Sequence, residues 1–224
     1  MRWQGFTSED LFCIMDGETP ERFLRSKRMK PNMPLSDNEI VEKIRGGAKQ
    51  SFTHLVQRYK DKGMTLAVRM LKNRQEAEEA LQDAFVRAYN GLNKFEGKAA
   101  FGTWFYRILY NVCLTKLEKK NEEFQLVDFD DERELDFDSG GSTVSFTTQF
   151  EARDLIEHVK RVMDTLPKKY STILSLFYLQ ERSHEEICEI TQLPVGTIKT
   201  HLFRARVLLY ERLQKEFQTE KVRL

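Results

Sequence analysis

The sequence predicts an all-α protein: two small helical domains joined by a flexible acidic linker, the second of them a helix-turn-helix. Three observations carry this reading. Apolar residues recur at helical spacing through most of the chain, no stretch shows sustained two-residue alternation bounded by turn signals, and charge falls in blocks. Residues 41–120 hold 16 Lys and Arg against 8 Asp and Glu, residues 121–150 hold one Arg against nine acids, and residues 151–224 hold 13 against 11. The total of +1 at pH 7 hides an acidic strap between two basic-to-neutral blocks.

A chain of 224 residues has room for one or two domains, each able to bury a core. Residues 1–35 contain Pro20, Pro31 and Pro34 and little periodicity, and read as an N-terminal extension of unassigned role. The first domain is expected over 36–120. There Ala77, Ala80, Leu81, Ala84, Phe85, Ala88 and Leu92 form one helical stripe, and Phe101, Trp104, Phe105, Ile108, Leu109, Val112 and Cys113 form another. Residues 121–149 combine the acidic run Asp128-Phe129-Asp130-Asp131-Glu132 with Ser139-Gly140-Gly141-Ser142, the composition of a flexible linker. The second domain is expected over 150–217, opening with the stripe Leu155, Ile156, Val159, Val162, Met163 and Leu166, and leaving 218–224 as a tail.

Several classes are disfavoured. The longest nearly unbroken apolar stretch, Ile173 to Leu179, is far short of the ~18–20 residues that span a bilayer, so membrane insertion is not expected. Met1 to Asp10 carry Arg2, Glu9 and Asp10 and do not read as a signal peptide, which points to a cytoplasmic protein. Cys13, Cys113 and Cys188 are widely separated, without a Cys-x-x-Cys pair, and read as free thiols in a reducing compartment. With no phosphate-binding loop, no zinc spacing and no nucleophile beside a base, the expectation is a non-enzyme with no catalytic residues, no metal and no cofactor.

In the second domain, Ser183-His184-Glu185-Glu186 has the form of a capping box, in which the Ser hydroxyl and the Glu three residues on satisfy each other's free amides. Gln192-Leu193-Pro194 interrupts the helix, and proline suits the first turn of the next one. That next helix places Ile198, Leu202, Ala205 and Leu209 on one face. Thr197, Lys199, Thr200, His201, Arg204 and Arg206 lie on the other side, with no acid from Val195 to Tyr210. A capped helix, a tight turn and a basic amphipathic helix form a helix-turn-helix pattern, which also fits a solvated hairpin of an ordinary bundle. The DNA reading needs an inner face that locks the second helix and an outer face that supplies cations to phosphates and donors to base edges.

These residues, from Ser183 to Ile187 and from Pro194 to Arg206, resemble the −35-reading region of extracytoplasmic-function sigma factors of the sigma-70 family, as do Leu166-Pro167 and the helix Tyr170–Leu179 before them. Gln192 stands where that family often has a turn glycine, and His201 where it often has Arg. The resemblance implies −35 contacts from Thr197, Lys199, Thr200, His201, Arg204 and Arg206.

The first domain matches the same family. Glu76 to Ala88 resembles the helix that docks on the coiled-coil clamp of RNA polymerase, which implies docking contacts from Glu79, Gln82, Asp83 and Arg87. Asn93 to Ala100 is a turn-rich break followed by the aromatic-dense helix that opens at Phe101. Capturing single-stranded DNA needs flat surfaces for unstacked bases and cations for the backbone, although the spacing of Trp104, Phe105 and Ile108 is that of a core. By the resemblance, Lys94, Phe95, Gly97, Lys98, Arg107 and Asn111 contact the −10 element. Thr115 replaces a usual Asp and Glu118 interrupts a usually basic run, which Lys116, Lys119 and Lys120 keep net basic.

The resemblance implies a sigma factor that binds core RNA polymerase through its beta-prime clamp and beta flap, reads promoter DNA, and answers to an anti-sigma factor. The alternative is a free-standing helix-turn-helix regulator that never touches polymerase, which leaves the Glu76–Ala88 and Phe95–Trp104 segments without a role. A DNA-processing enzyme with a helix-turn-helix tail would need a folded catalytic cluster, and the acids of 128–138 sit where little would order them.

Overall fold

The computed structural model describes residues 35–120 and 152–222, with side chains placed over 35–120 and 156–216. Helix α1 (Asp37–Arg45) begins at a capping box: Ser36 Oγ accepts from the Glu39 amide, and the Ser36 amide donates to the Glu39 carboxylate at 2.7 Å. A 3-10 turn (Lys49–Ser51) leads into α2 (Phe52–Leu71). Asn73 caps α3 (Arg74–Gly91) by accepting from the Glu76 amide. A second 3-10 turn (Leu92–Lys94) and an irregular loop precede α4 (Phe101–Lys119).

The small residues Ala77, Ala80, Ala84 and Ala88 are all fully buried, so α3 lies close to its neighbours, as its stripe predicts. Gly63 lets it do so: a Cβ there would stand 2.8 Å from the Leu81 side chain. Against this pair, α4 buries Phe101, Phe105, Tyr106, Leu109 and Cys113. Burial pushes the Cys113 thiol up to about 12, so it behaves as an apolar side chain.

Beyond residues 121–151, which hold the expected linker and lie outside the described residues, come α5 (Ala152–Thr165) and α6 (Lys168–Leu174). Helix α6 widens into a π-turn (Ser175–Leu179). Then α7 (His184–Thr191) and α8 (Val195–Val222) form the helix-turn-helix, joined through Gln192-Leu193-Pro194. Helix α8 runs through Val222, where a tail was expected from residue 218.

The expected all-α class holds, and every element among the described residues is helical. The two expected helical units are both present, and they pack on each other. Helix α4 packs on α7, α2 packs on α6, and one continuous apolar core runs through both units.

Candidate nucleic-acid and polymerase interfaces

The helix-turn-helix closes as its sequence requires. Ser183 Oγ accepts from the Glu186 amide at 3.1 Å and the Ser183 amide donates to Glu186 Oε2 at 2.9 Å, completing the capping box. Gln192 takes the left-handed conformation, φ 63°, that favours glycine, and its amide donates to the Cys188 carbonyl at 2.7 Å. Ile187, Ile190, Ile198, Leu202 and Ala205 are buried between the two helices.

On the outer face of α8, Lys199 and Thr200 are exposed, Thr197 and Arg204 are half-buried, and the Thr200 hydroxyl donates back to the Gly196 carbonyl. Two expected contacts point elsewhere. His201 is 6% exposed and its ring meets Tyr170 edge-on, so it belongs to the domain's interior. Burial, with Lys169 and Arg204 nearby, lowers its pKa below the ordinary imidazole value. The Arg206 Nε donates to the Tyr178 hydroxyl at 2.7 Å and its guanidinium covers the rings of Phe177 and Tyr178, which locks α8 onto the π-turn. Phe203, which the sequence reading passed over, is half-exposed between Thr200 and Arg204. An apolar residue outside the inward stripe was its signal.

The loop before α4 is held from α1. Arg45 donates to the carbonyls of Leu92 and Phe95, fixing both ends of the turn. Lys94, Gly97 and Lys98 are exposed, Gly97 adopts φ 74°, and Lys98 pairs with Glu96. Phe95, expected to meet a base, is 5% exposed and packs on Phe101 and Trp104. Arg107 and Asn111 are exposed on one side of α4.

The expected docking residues do share a surface. Asp83 and Arg87 pair at 2.9 Å and Glu79 pairs with Lys116 of α4 at 2.9 Å. With Val112, Thr115 and Lys119 they line a shallow groove of about 350 Å³. Gln82 is exposed beside it, and so is Val86 one turn on, at 58%. Val86 and Tyr89 are the large apolar side chains that α3 exposes among the described residues.

The described residues thus combine a basic helix-turn-helix with a second helical unit that carries a charged groove. The sigma-70 region 2 family matches residues 55–123 and the sigma-70 region 4 family matches residues 156–209. The chain is 33% identical over 181 residues to the RNA polymerase sigma-H factor of Pseudomonas aeruginosa, covering 80% of this chain and 94% of that one. It is 32% identical over 193 residues to the ECF RNA polymerase sigma factor SigW of Bacillus subtilis, covering 81% and 99%. Among solved structures, the sigma factor RpoE in complex with the anti-sigma factor NepR from Bartonella quintana shares the fold, with a TM-score of 0.54, 22% identity, and 74% of this chain and 98% of that one covered. CnrH in complex with the cytosolic domain of CnrY gives 0.53 at 19% identity, covering 79% and 96%. The chain belongs to the extracytoplasmic-function sigma factors of the sigma-70 family.

Proposed function

We propose that this chain docks on core RNA polymerase through α3 and α8's unit, and directs initiation at promoters by reading −10 and −35 elements. The observation that carries the reading is the α3 surface: Glu79, Asp83 and Arg87 line one groove, with Gln82 and Val86 exposed beside it, a face a free-standing regulator has no use for. It suits the beta-prime clamp, and the C-terminal unit suits the beta flap. In the loop and on α4, Lys94, Gly97, Lys98, Arg107 and Asn111 offer cations and amides to a melted strand. On α8, Thr197, Lys199, Thr200 and Arg204 face the major groove, with Phe203 placed to meet a thymine methyl. His201 and Arg206 act from behind, holding the helix.

Two weak DNA readers gain from being carried on one polymerase, which fixes their spacing. An anti-sigma protein, such as the one the RpoE relative holds, would work by covering the docking surfaces, and the site of action is the cytoplasm, where polymerase is. The test is binding to core polymerase. The wild-type chain co-elutes with core enzyme, and Gln82→Ala/Asp83→Ala weakens that association at least tenfold while leaving the melting temperature unchanged. Specific binding to duplex DNA with no association to core enzyme would favour the free-standing regulator.

A further inference from the structure

Helix α1 carries none of the residues assigned above to polymerase or DNA, yet its last residue reaches the loop that does. Arg45 Nη2 donates to the Leu92 carbonyl at 3.1 Å and to the Phe95 carbonyl, across 47 and 50 positions of sequence. Glu42, one turn back, accepts from Nη1 of the same guanidinium at 2.7 Å and aims it. The helix is itself held: Ile40, Val41 and Ile44 are buried in the core, and the Ser36 capping box fixes its start.

The two carbonyls are of the kind a short helix leaves without partners at its end. The 3-10 turn Leu92–Lys94 closes when the Phe95 amide donates to the Leu92 carbonyl at 3.2 Å. The chain then leaves extended, with Phe95 at ψ 107°, so no further turn supplies a donor to the Phe95 carbonyl. A guanidinium placed there satisfies both acceptors and meets the negative end of the turn.

Beyond this point five residues, 96–100, separate two buried rings. Phe95 is 5% exposed and Phe101 1%, and their ring centroids lie 5.9 Å apart. The loop is therefore pinned at its base by the rings and at its entry by Arg45. Its tip is open: around Gly97, at φ 74°, a Cβ would meet nothing within 4 Å beyond its chain neighbours. A loop that captures a base flipped from the stack has to present backbone and cations at fixed positions, and a pre-ordered one loses less entropy on binding. Without the Arg45 bonds, the peptide groups of Leu92 and Phe95 are free to turn toward water, and with them the directions of Lys94, Gly97 and Lys98. Both hydrogens of Nη2 are spent on the carbonyls, so that nitrogen keeps none for a phosphate.

We propose, resting on the sigma reading, that Arg45 is a positioning residue for −10 recognition. From α1 it holds the Leu92 and Phe95 carbonyls and so fixes the loop in the conformation that admits a −10 base, without contacting DNA.

The full chain is assayed with bacterial core polymerase on two template libraries built from a promoter found by start-site mapping, one randomised across the −10 element and one across the −35 element. At each position, transcript yield with the best base over that with the worst gives a discrimination ratio, which does not depend on how much of the protein is folded. Arg45→Met keeps a long side chain and removes its donors. Its −10 ratios fall about fivefold, whereas its −35 ratios and its co-elution with core enzyme stay those of the parent. Arg45→Lys, which returns a cationic donor, recovers most of the loss. Lys43→Met removes the same charge from an exposed position in the same helix turn and leaves both sets of ratios unchanged. Unaltered −10 ratios in Arg45→Met overturn the positioning role. So do equal falls at −10 and −35, which mark a general loss of structure, and a matching fall in Lys43→Met, which marks long-range charge. Each of these results leaves the sigma reading intact. Absence of any factor-dependent transcript from the parent overturns both.

Discussion

Replacing Gln180 by Leu removes a side chain that is fully buried and bonded at both ends to the other half of the molecule. The Tyr106 hydroxyl, on a residue with no solvent exposure, then has no acceptor from this side chain. An orphaned buried donor costs about 1–3 kcal/mol, whereas the Lys62 carbonyl lies within α2 and loses less. A loss of about 2 kcal/mol lowers the melting temperature by about 4–8 °C in a chain of this size. Tyr106→Phe orphans the Gln180 carbonyl oxygen instead and costs a similar amount. The double variant Gln180→Leu/Tyr106→Phe removes both partners together, so its loss falls short of the sum by about 1–2 kcal/mol. Urea and thermal unfolding of the wild type, two single variants and the double variant, followed by circular dichroism, measure this coupling. Strictly additive losses would refute the reasoning, because the two groups would then not be sharing a buried bond.

Three further outcomes are expected. Gln192→Gly relieves a left-handed residue at the cost of an exposed bond to the Glu189 carbonyl, and raises stability by about 0.5–1 kcal/mol in thermal melts; a fall would show that the turn does not need a glycine-like residue. Lys199→Ala lowers the slope of log affinity against log salt for −35 duplex DNA by about 0.9, while His201→Phe leaves that slope unchanged, since its ring faces Tyr170 rather than solvent. Burial holds His184 and His201 below the ordinary imidazole pKa, so both bind a proton less readily in the folded chain than in the unfolded one. Their contribution to stability is therefore complete above the unfolded value of about 6.5 and is lost as pH falls through it. Each adds a slope of at most about 1.4 kcal/mol per pH unit. Urea midpoints at pH 7.5, 6.5 and 5.5 should fall less steeply in His201→Phe, and an unchanged slope would contradict the assignment.

Local structure was legible because it is written in nearby residues. The Ser183–Glu186 capping box, the break at Gln192–Pro194 and the inward row Ile198, Leu202, Ala205 all depend on spacings of three or four, and the helices form where those spacings lie. Helix α3 was legible for the same reason, its buried alanines fixing which charged residues share the outer side. What escaped was burial decided at a distance. Nothing in the local spacing around Gln180, Arg69 or Thr103 signals burial; their partners are separated by 74 to 118 positions in the bonds of Gln180, by 106 in Arg69 to Ser175 and by 83 in Thr103 to Glu186. His201 was a different miss. It sits three residues after Ile198 and four before Ala205, so its register already pointed inward, and its polar chemistry outweighed that signal in the sequence reading. Phe95 erred the same way: a lone aromatic in a turn has no periodicity, and Trp104 and Phe101 supply its pocket only after folding.

The central claim is that this chain gives core RNA polymerase its promoters. The direct measurement adds the purified full chain to bacterial core enzyme on fragmented genomic DNA of the source organism and sequences the 5′ ends of the transcripts. Discrete start sites that appear with the factor, share upstream elements near −10 and −35, and vanish with Gln82→Ala/Asp83→Ala are the expected result. Start sites no different from those of core enzyme alone would contradict it.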